Sequence, residues 1–293
     1  MKYRRSLIGG PSRYLFLLPA IIIYCSIIVY PTIYSLYLSF FKWNGIAPVK
    51  TFVGFDNYIS LFTSDPVFLT ALKNNLLWML LTITITVSLA LLFALLINMR
   101  FRGRTVVRGV LYFPYILSGV MVALTWQWFY HPQLGLLNNF LIAIGHPEWC
   151  GAVLSDTHTA FIAVFIGGCW YYVGAPMILF LAGLQTVPKD LTEAAFIDGA
   201  NRVQAFFHVI LPCLKETFLI VLATQIINSM KVYDIVYAMT GGGPAQSTQT
   251  LATWMVTQTF TFANLGTGTA IAWIMVLIMI VIIVPYTIYQ AKN

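Results

Sequence analysis

Apolar runs of about 20 residues or more recur along this chain, and that length matches the hydrocarbon thickness of a bilayer crossed by a helix. Such runs leave few folds open. Inside lipid no water is available to pair backbone N–H and C=O groups, so each run must satisfy its own hydrogen bonds as a helix. A soluble domain carries roughly 25% charged residues, whereas this chain carries 9%, with 59% apolar residues. The expected class is an all-α polytopic membrane protein.

Six spans are expected, at about 14–41, 72–99, 109–130, 158–184, 213–238 and 267–289. The N-terminus resembles a signal peptide, with Lys2, Arg4, Arg5 and Arg13 before an apolar run. That run is far longer than a cleavable apolar region, so it reads as a retained first span. Polar stretches separate the spans: 42–71, a basic turn around Gly103, 131–157 without Lys or Arg, 185–212, and the loop around Gly241-Gly242-Gly243-Pro244.

The net charge of +7 follows orientation rather than nucleic-acid binding. With both termini cytoplasmic, Lys2, Arg4, Arg5, Arg13, Arg100, Arg102, Arg104, Arg108, Lys189, Arg202, Lys215 and Lys292 lie inside. Lys42, Lys50, Lys73 and Lys231 lie outside or near the outer face. This split fits the positive-inside rule, and the inverted topology contradicts it. The chain then divides into a cytoplasmic N-terminus, 1–13, and a transmembrane domain, 14–290, with 185–212 as its longest cytoplasmic loop.

That loop is the chain's most distinctive interruption. Pro188 enforces an extended entry, Asp190 is expected to cap a helix with Glu193 three residues on, and Gly199 is a natural left-handed stop. A second short amphipathic segment is expected to end at Leu211-Pro212, where the fifth span begins. The residues alone serve a helix lying on the membrane surface and a helix docked into a partner equally well.

The spacing Glu193-Ala194-Ala195, three residues, Gly199, nine residues, Val209-Ile210-Leu211-Pro212 resembles the EAA loop of binding-protein-dependent ABC importer permeases. Asp198-Gly199-Ala200 is similar to the carbohydrate branch of that family, whose members usually have Ile where this chain has Val209. Phe55-Asp56-Asn57-Tyr58, Leu134-Gly135-Leu136-Leu137-Asn138, Leu181-Ala182-Gly183-Leu184-Gln185 and Met239-Thr240-Gly241-Gly242-Gly243-Pro244 resemble maltose-type permeases in the same order. The likeness runs through nearly the whole chain.

The resemblance implies a type I ABC importer permease fold in a bacterial-type cell (inner) membrane. It implies a sugar or oligosaccharide as solute; the alternative is glycerol phosphate or a related polar solute carried by the same architecture. Glu193, Ala194, Ala195, Asp198, Gly199, Leu211 and Pro212 would form the ATPase-coupling loop. The implied partners are a second permease subunit in a heterodimer, two ATP-binding subunits holding ATP and Mg, and an extracytoplasmic solute-binding protein. The chain itself has no P-loop pattern, since Gly241 to Gly243 lack a following Gly-Lys-Ser/Thr, and no cofactor or metal is expected in it. Neither HExxH nor GxSxG occurs, so the expectation is a transport subunit and not an enzyme.

For the solute path, aromatic faces and amide or hydroxyl side chains suit a neutral sugar. Trp170, Tyr171 and Tyr172 in the fourth span and Gln225, Asn228 and Ser229 in the fifth are the candidates, the latter three sharing one helical face. Polar side chains at this depth normally face a bundle interior or a cavity, so interhelical hydrogen bonding is an equally good role for Gln225 and Asn228. Lys231 and Asp234, three apart nearer the outer end, are expected to form an ion pair with a snorkelling lysine.

Overall fold

The computed structural model describes residues 17–99 and 101–292. Lys2, Arg4, Arg5, Arg13 and Arg100 of the charge argument lie outside the described residues, as does the start of the first span. Helices dominate. Among the described residues four are long and apolar enough to cross a membrane, Leu18–Leu38, Pro66–Asn98, Lys215–Thr240 and Leu265–Ile288, and six spans result if each of two bent helix pairs counts as one.

The chain forms two compact units, one of residues 17–61 with 255–273 and one of 62–254 with 274–292. In the first, helix α1 (Leu18–Leu38) carries a wide turn at Cys25–Val29 and leaves nearly all its apolar surface exposed. A two-stranded ribbon follows, Phe41–Lys42 antiparallel to Thr51–Phe52, with Phe41 opposite Phe52. Asn57, in helix α2 (Asp56–Thr63), donates to the Ser39 and Phe41 carbonyls at 2.8 and 3.0 Å and so fastens the ribbon to the end of α1. Lys50 is held over the Tyr34 and Trp43 rings at 4.9 and 4.5 Å, a cation–π arrangement that shelters its charge.

In the second unit, helix α3 (Pro66–Asn98) starts six residues before the expected Leu72. Asp65 caps it by accepting from the Phe68 N–H at 2.8 Å, with Pro66 in its first turn. Here the local capping chemistry overrides the polar composition that suggested a loop. Arg104–Ile116 (α4) and Gly119–Phe129 (α5) meet at 101°, so the expected third span is an elbow and not a straight helix. Pro114 removes one hydrogen-bond donor just before the break, and Leu117 and Ser118 are extended.

After α6 (Leu136–Ala143), the expected fourth span is α7 (Ala160–Tyr172) followed by α8 (Gly174–Thr186). They break at Val173, where Pro176 has no N–H for the Tyr172 carbonyl. The short α9 (Lys189–Ile197) and helical turns through 202–213 lead to α10 (Lys215–Met230) and α11 (Asp234–Thr240). Helix α12 is Leu251–Val256 and α13 is Leu265–Lys292.

Two apolar cores hold this unit. Trp78 packs edge-on against Phe161 and Phe165, with ring centroids 6.1 and 5.2 Å away. In the other core Val87, Ala90, Ala94 and Ile97 of α3 meet Met177, Phe180, Leu181 and Leu184 of α8 and Val221 of α10. Small residues on α3 let α8 approach closely, as helix packing in lipid favours.

Candidate functional site

The Glu193 loop is a helix that stands clear of the rest of its unit. Helix α9 has no buried residue, and Leu191, Phe196 and Ile197 are exposed, Ile197 to 85%. The expected cap differs in detail. Pro188, extended at ψ 128°, is the N-cap and offers no side-chain hydrogen bond, so Asp190 falls two positions too deep, in the first turn. There its charge favours the helix dipole without forming the box with Glu193.

The capping box lies one turn of chain later. Asn201 accepts from the Gln204 N–H at 2.9 Å, and the Gln204 side chain accepts from the Asn201 N–H at 2.8 Å. Between the two segments Gly199 has φ +86°, and the Ala200 N–H reaches back to the Ala195 carbonyl at 2.9 Å, the six-to-one bond of a Schellman stop. A second correction concerns Leu211-Pro212. The chain does not stop there but passes through a wide helical turn, Phe206–Ile210, into Leu211–Cys213 and breaks at Leu214. A wide turn inside a helix absorbs the donor that Pro212 lacks.

The loop's two roots touch. A side chain on Gly183 of α8 would collide with Thr217 Oγ1 at 2.3 Å and Leu214 Cδ2 at 3.0 Å, and the Phe180 and Phe218 rings lie 4.8 Å apart. A cavity of about 630 Å³ elsewhere in the unit is lined by Gln127, Trp128 and Tyr130. The one at the loop's base measures about 380 Å³ and is lined by Asn98, Arg104, Gln185, Lys189, Thr192 and Ile210.

The expected path residues do not form one group. Trp170 stands edge-on to Trp126 at 6.0 Å and lines an apolar cavity of about 650 Å³ with Ile85, Phe93, Phe165 and Ile166, a lining without hydroxyl or amide partners for a sugar. Tyr171 and Tyr172 turn the other way, with Tyr171 4.7 Å from Tyr172 and 6.0 Å from Tyr115. The Tyr171 hydroxyl donates to the Leu117 carbonyl at the elbow, at 3.3 Å.

On α10, Gln225 and Ser229 are buried and Asn228 is half-buried. The Ser229 hydroxyl donates back to the Gln225 carbonyl at 2.7 Å. Lys231 and Asp234 make no ion pair: α10 ends at Met230, Tyr233 is non-helical, and α11 restarts at Asp234. Three-residue spacing brings side chains together only on a continuous helix.

Asn74 and Asn75 of α3 are functional neighbours of α10 that lie outside the expected site residues. Asn75 is fully buried; its amide donates to the Ser229 carbonyl and its oxygen accepts from the Leu251 N–H, both at 2.9 Å. Asn74 donates to the Ser247 and Gln249 carbonyls at 2.7 and 2.8 Å, and the Trp254 indole donates to Asp65 at 2.8 Å. Two adjacent amides inside an apolar run were the available signal, since polar groups at that depth are retained for a partner.

Comparison with known proteins places this arrangement. The chain is 34% identical to the osmoprotective compounds uptake permease protein GgtC of Synechocystis sp., over 85% of this chain and 88% of that one. It is 32% identical to the trehalose/maltose transport system permease protein MalF of Thermococcus litoralis, over 86% and 83%. Its fold matches a chain of a bacterial alginate ABC transporter crystallised with an alginate pentasaccharide-bound periplasmic protein, with a TM-score of 0.80, 25% identity and coverage of 93% and 91%. Residues 86–292 match the family model described as binding-protein-dependent transport system inner membrane component. The loop, the elbowed helices and these likenesses agree: the chain is a multi-pass membrane protein belonging to the binding-protein-dependent transport system inner membrane component family.

Proposed function

We propose that this chain is the permease subunit of an ATP-driven importer for a sugar or oligosaccharide, delivered by an extracytoplasmic binding protein. One observation carries the mechanical part. Helix α9 presents exposed apolar and acidic surface with no buried residue of its own, while the helices at its two roots share one core. An exposed apolar patch on a structured, capped helix is suited to a partner groove.

In this reading Glu193, Ala194, Ala195, Asp198 and Gly199 dock into a cytoplasmic ATPase subunit, with Leu211 and Pro212 at the foot of the loop. ATP and Mg are held by two such subunits, the chain pairs with a second permease, and both of its termini are cytoplasmic. ATP-driven closure displaces the loop, and α8 and α10 carry the motion to the solute path. The trehalose/maltose permease likeness supports a sugar as the solute class.

The test is reconstitution of this chain with its partner permease, ATPase pair and delivery protein in liposomes. ATP-dependent uptake of a sugar bound by that delivery protein is expected. Glu193→Lys should abolish uptake and weaken co-purification with the ATPase while the chain still reaches the membrane. Normal coupled uptake by Glu193→Lys would sink the docking role, and uptake by the purified chain alone without ATP would sink the importer reading.

A further inference from the structure

Asp234 is exposed at a break in a helix long and apolar enough to span the membrane, and among the described residues no lysine, arginine or histidine pairs with it. Lys231, three residues earlier, is exposed as well and caps the end of α10. An unpaired carboxylate facing lipid is costly, so ionisable residues at such positions face a partner or a water-filled path.

The surroundings of Asp234 are specific. Gly119 opens α5 directly after the 101° elbow, and a side chain there would come within 3.0 Å of the Asp234 Cβ. A glycine is what lets the elbow close onto the carboxylate. The Asp234 charge lies within electrostatic reach of Tyr171, Tyr172 and Tyr233. Tyr115 sits beside Tyr171 at 6.0 Å, and Tyr237 stacks on Tyr233 at 5.2 Å. Tyr233 adjoins the carboxylate in the chain, and the Tyr171 hydroxyl is tied to Leu117 of the same elbow that packs on Asp234, so phenol rings of α7 and of the α10–α11 break gather at this end of α5.

That chemistry selects among solutes. A carboxylate accepts hydrogen bonds from two hydroxyls at once, and charge-assisted bonds are roughly twice as strong as neutral ones. Tyrosine rings cover the C–H face of a pyranose, and the Tyr171 hydroxyl, which donates to the Leu117 carbonyl, keeps its oxygen as a further acceptor. An anionic solute meets a like charge here instead. We propose that Asp234, with Tyr171 and Tyr172, is a specificity-determining acceptor on the solute path, which binds adjacent hydroxyls of a neutral polyhydroxylated solute and disfavours anions. The proposal rests on the importer reading and narrows its solute class.

Two readouts test it. The first needs no solute: with Cys25, Cys150, Cys169 and Cys213 changed to Ser, Asp234→Cys in the assembled transporter is exposed to a membrane-impermeant thiol reagent. Modification at least about tenfold faster than at Ile280→Cys, an exposed apolar position in α13, is expected, a ratio equivalent to about 1.4 kcal/mol. Equal rates overturn the placement.

The second is uptake of trehalose, with glycerol 3-phosphate as the anionic comparison, each presented by a delivery protein that binds it. Asp234→Ala should lower trehalose uptake about tenfold or more, again about 1.4 kcal/mol, while loaded delivery protein still stimulates ATP hydrolysis. Asp234→Asn should fall between and raise glycerol 3-phosphate uptake relative to trehalose. Unchanged trehalose uptake in Asp234→Ala overturns the proposal, as does loss of the partner permease from purified Asp234→Asn, which would mark Asp234 as an intersubunit ion-pair residue. Absence of any sugar uptake by the unmodified transporter would instead refute the importer reading, with the thiol result still standing for the path.

Discussion

Asn75→Leu exchanges a fully buried amide for an apolar side chain of similar size, so its effect isolates two hydrogen bonds from packing volume. The Leu251 N–H loses its acceptor and the Ser229 carbonyl loses its donor, both bonds being 2.9 Å long in a site closed to water. A buried group left unpaired costs about 1–3 kcal/mol, so the pair costs about 2–5 kcal/mol once some relaxation is allowed. On a scale of about 2–4 °C per kcal/mol, the melting temperature of the purified chain should fall by about 5–15 °C. Asn75→Asp keeps the acceptor for Leu251 but loses the donor to Ser229, which sets its expected fall at about half as much or more, because a charge then faces a carbonyl. The assay is recovery of monodisperse chain after heating in detergent, with sugar uptake measured on the same variants. A melting temperature for Asn75→Leu within about 1 °C of the parent chain would refute the view that Asn75 clamps α10 to the loop before α12.

Gly199→Asp should leave thermal stability within about 1–2 kcal/mol of the parent, the cost of a left-handed non-glycine residue, because among the described residues nothing beyond its chain neighbours lies within 4 Å of the new Cβ. Its uptake and ATPase co-purification should nonetheless be lost, and normal uptake in this variant would falsify the coupling role of the turn. Asn201→Ala removes one arm of the observed capping box, so the chain should lose about 1 kcal/mol of stability with partial uptake, whereas Asp190→Ala, which removes only a first-turn charge, should cost about 0.5 kcal/mol. Gly168→Ala drives a methyl group to within 2.6 Å of the buried Trp78 ring, and a melting temperature lowered by the equivalent of about 1–3 kcal/mol is expected; an unshifted melting curve would show that the ring moves freely.

The spans were legible because hydrophobic length is a one-dimensional property, and Gly199 because a left-handed stop needs no distant partner. The errors have a common physical source. Helix α3 begins before the apolar run because Asp65-Pro66, a loop signal by composition, is a helix start by capping geometry. Asp190 was assigned a cap that depends on which residue is the last extended one, and Pro188 decides that. The Lys231–Asp234 pairing assumed an unbroken helix, and the break at Tyr233 leaves no mark in hydropathy. Trp170 parts from its neighbours Tyr171 and Tyr172 because successive residues on a helix point about 100° apart, and the direction that meets the apolar cavity is fixed by α3, α4 and α5.

These particulars bear on how the proposed coupling loop would act on a site in the membrane. Were α8 and α10 joined only through the loop, displacement of α9 would dissipate in the turns at Val187 and Leu214. They are joined directly instead: Gly183 lets α8 approach α10 so closely that a single methyl group would collide with the Thr217 side chain, and Phe180 meets Phe218. Close-packed interiors transmit displacement and do not absorb it. Further up the same helix, Asn75 takes the Ser229 carbonyl and passes the connection to Leu251. A push on α9 therefore reaches α10 through packing and the loop before α12 through hydrogen bonds, and the break at Lys231 to Tyr233 is the first place along α10 where the motion can be released. Asp234 stands immediately past that break, so under the proposed coupling the carboxylate proposed to bind solute hydroxyls moves with the segment that the loop displaces.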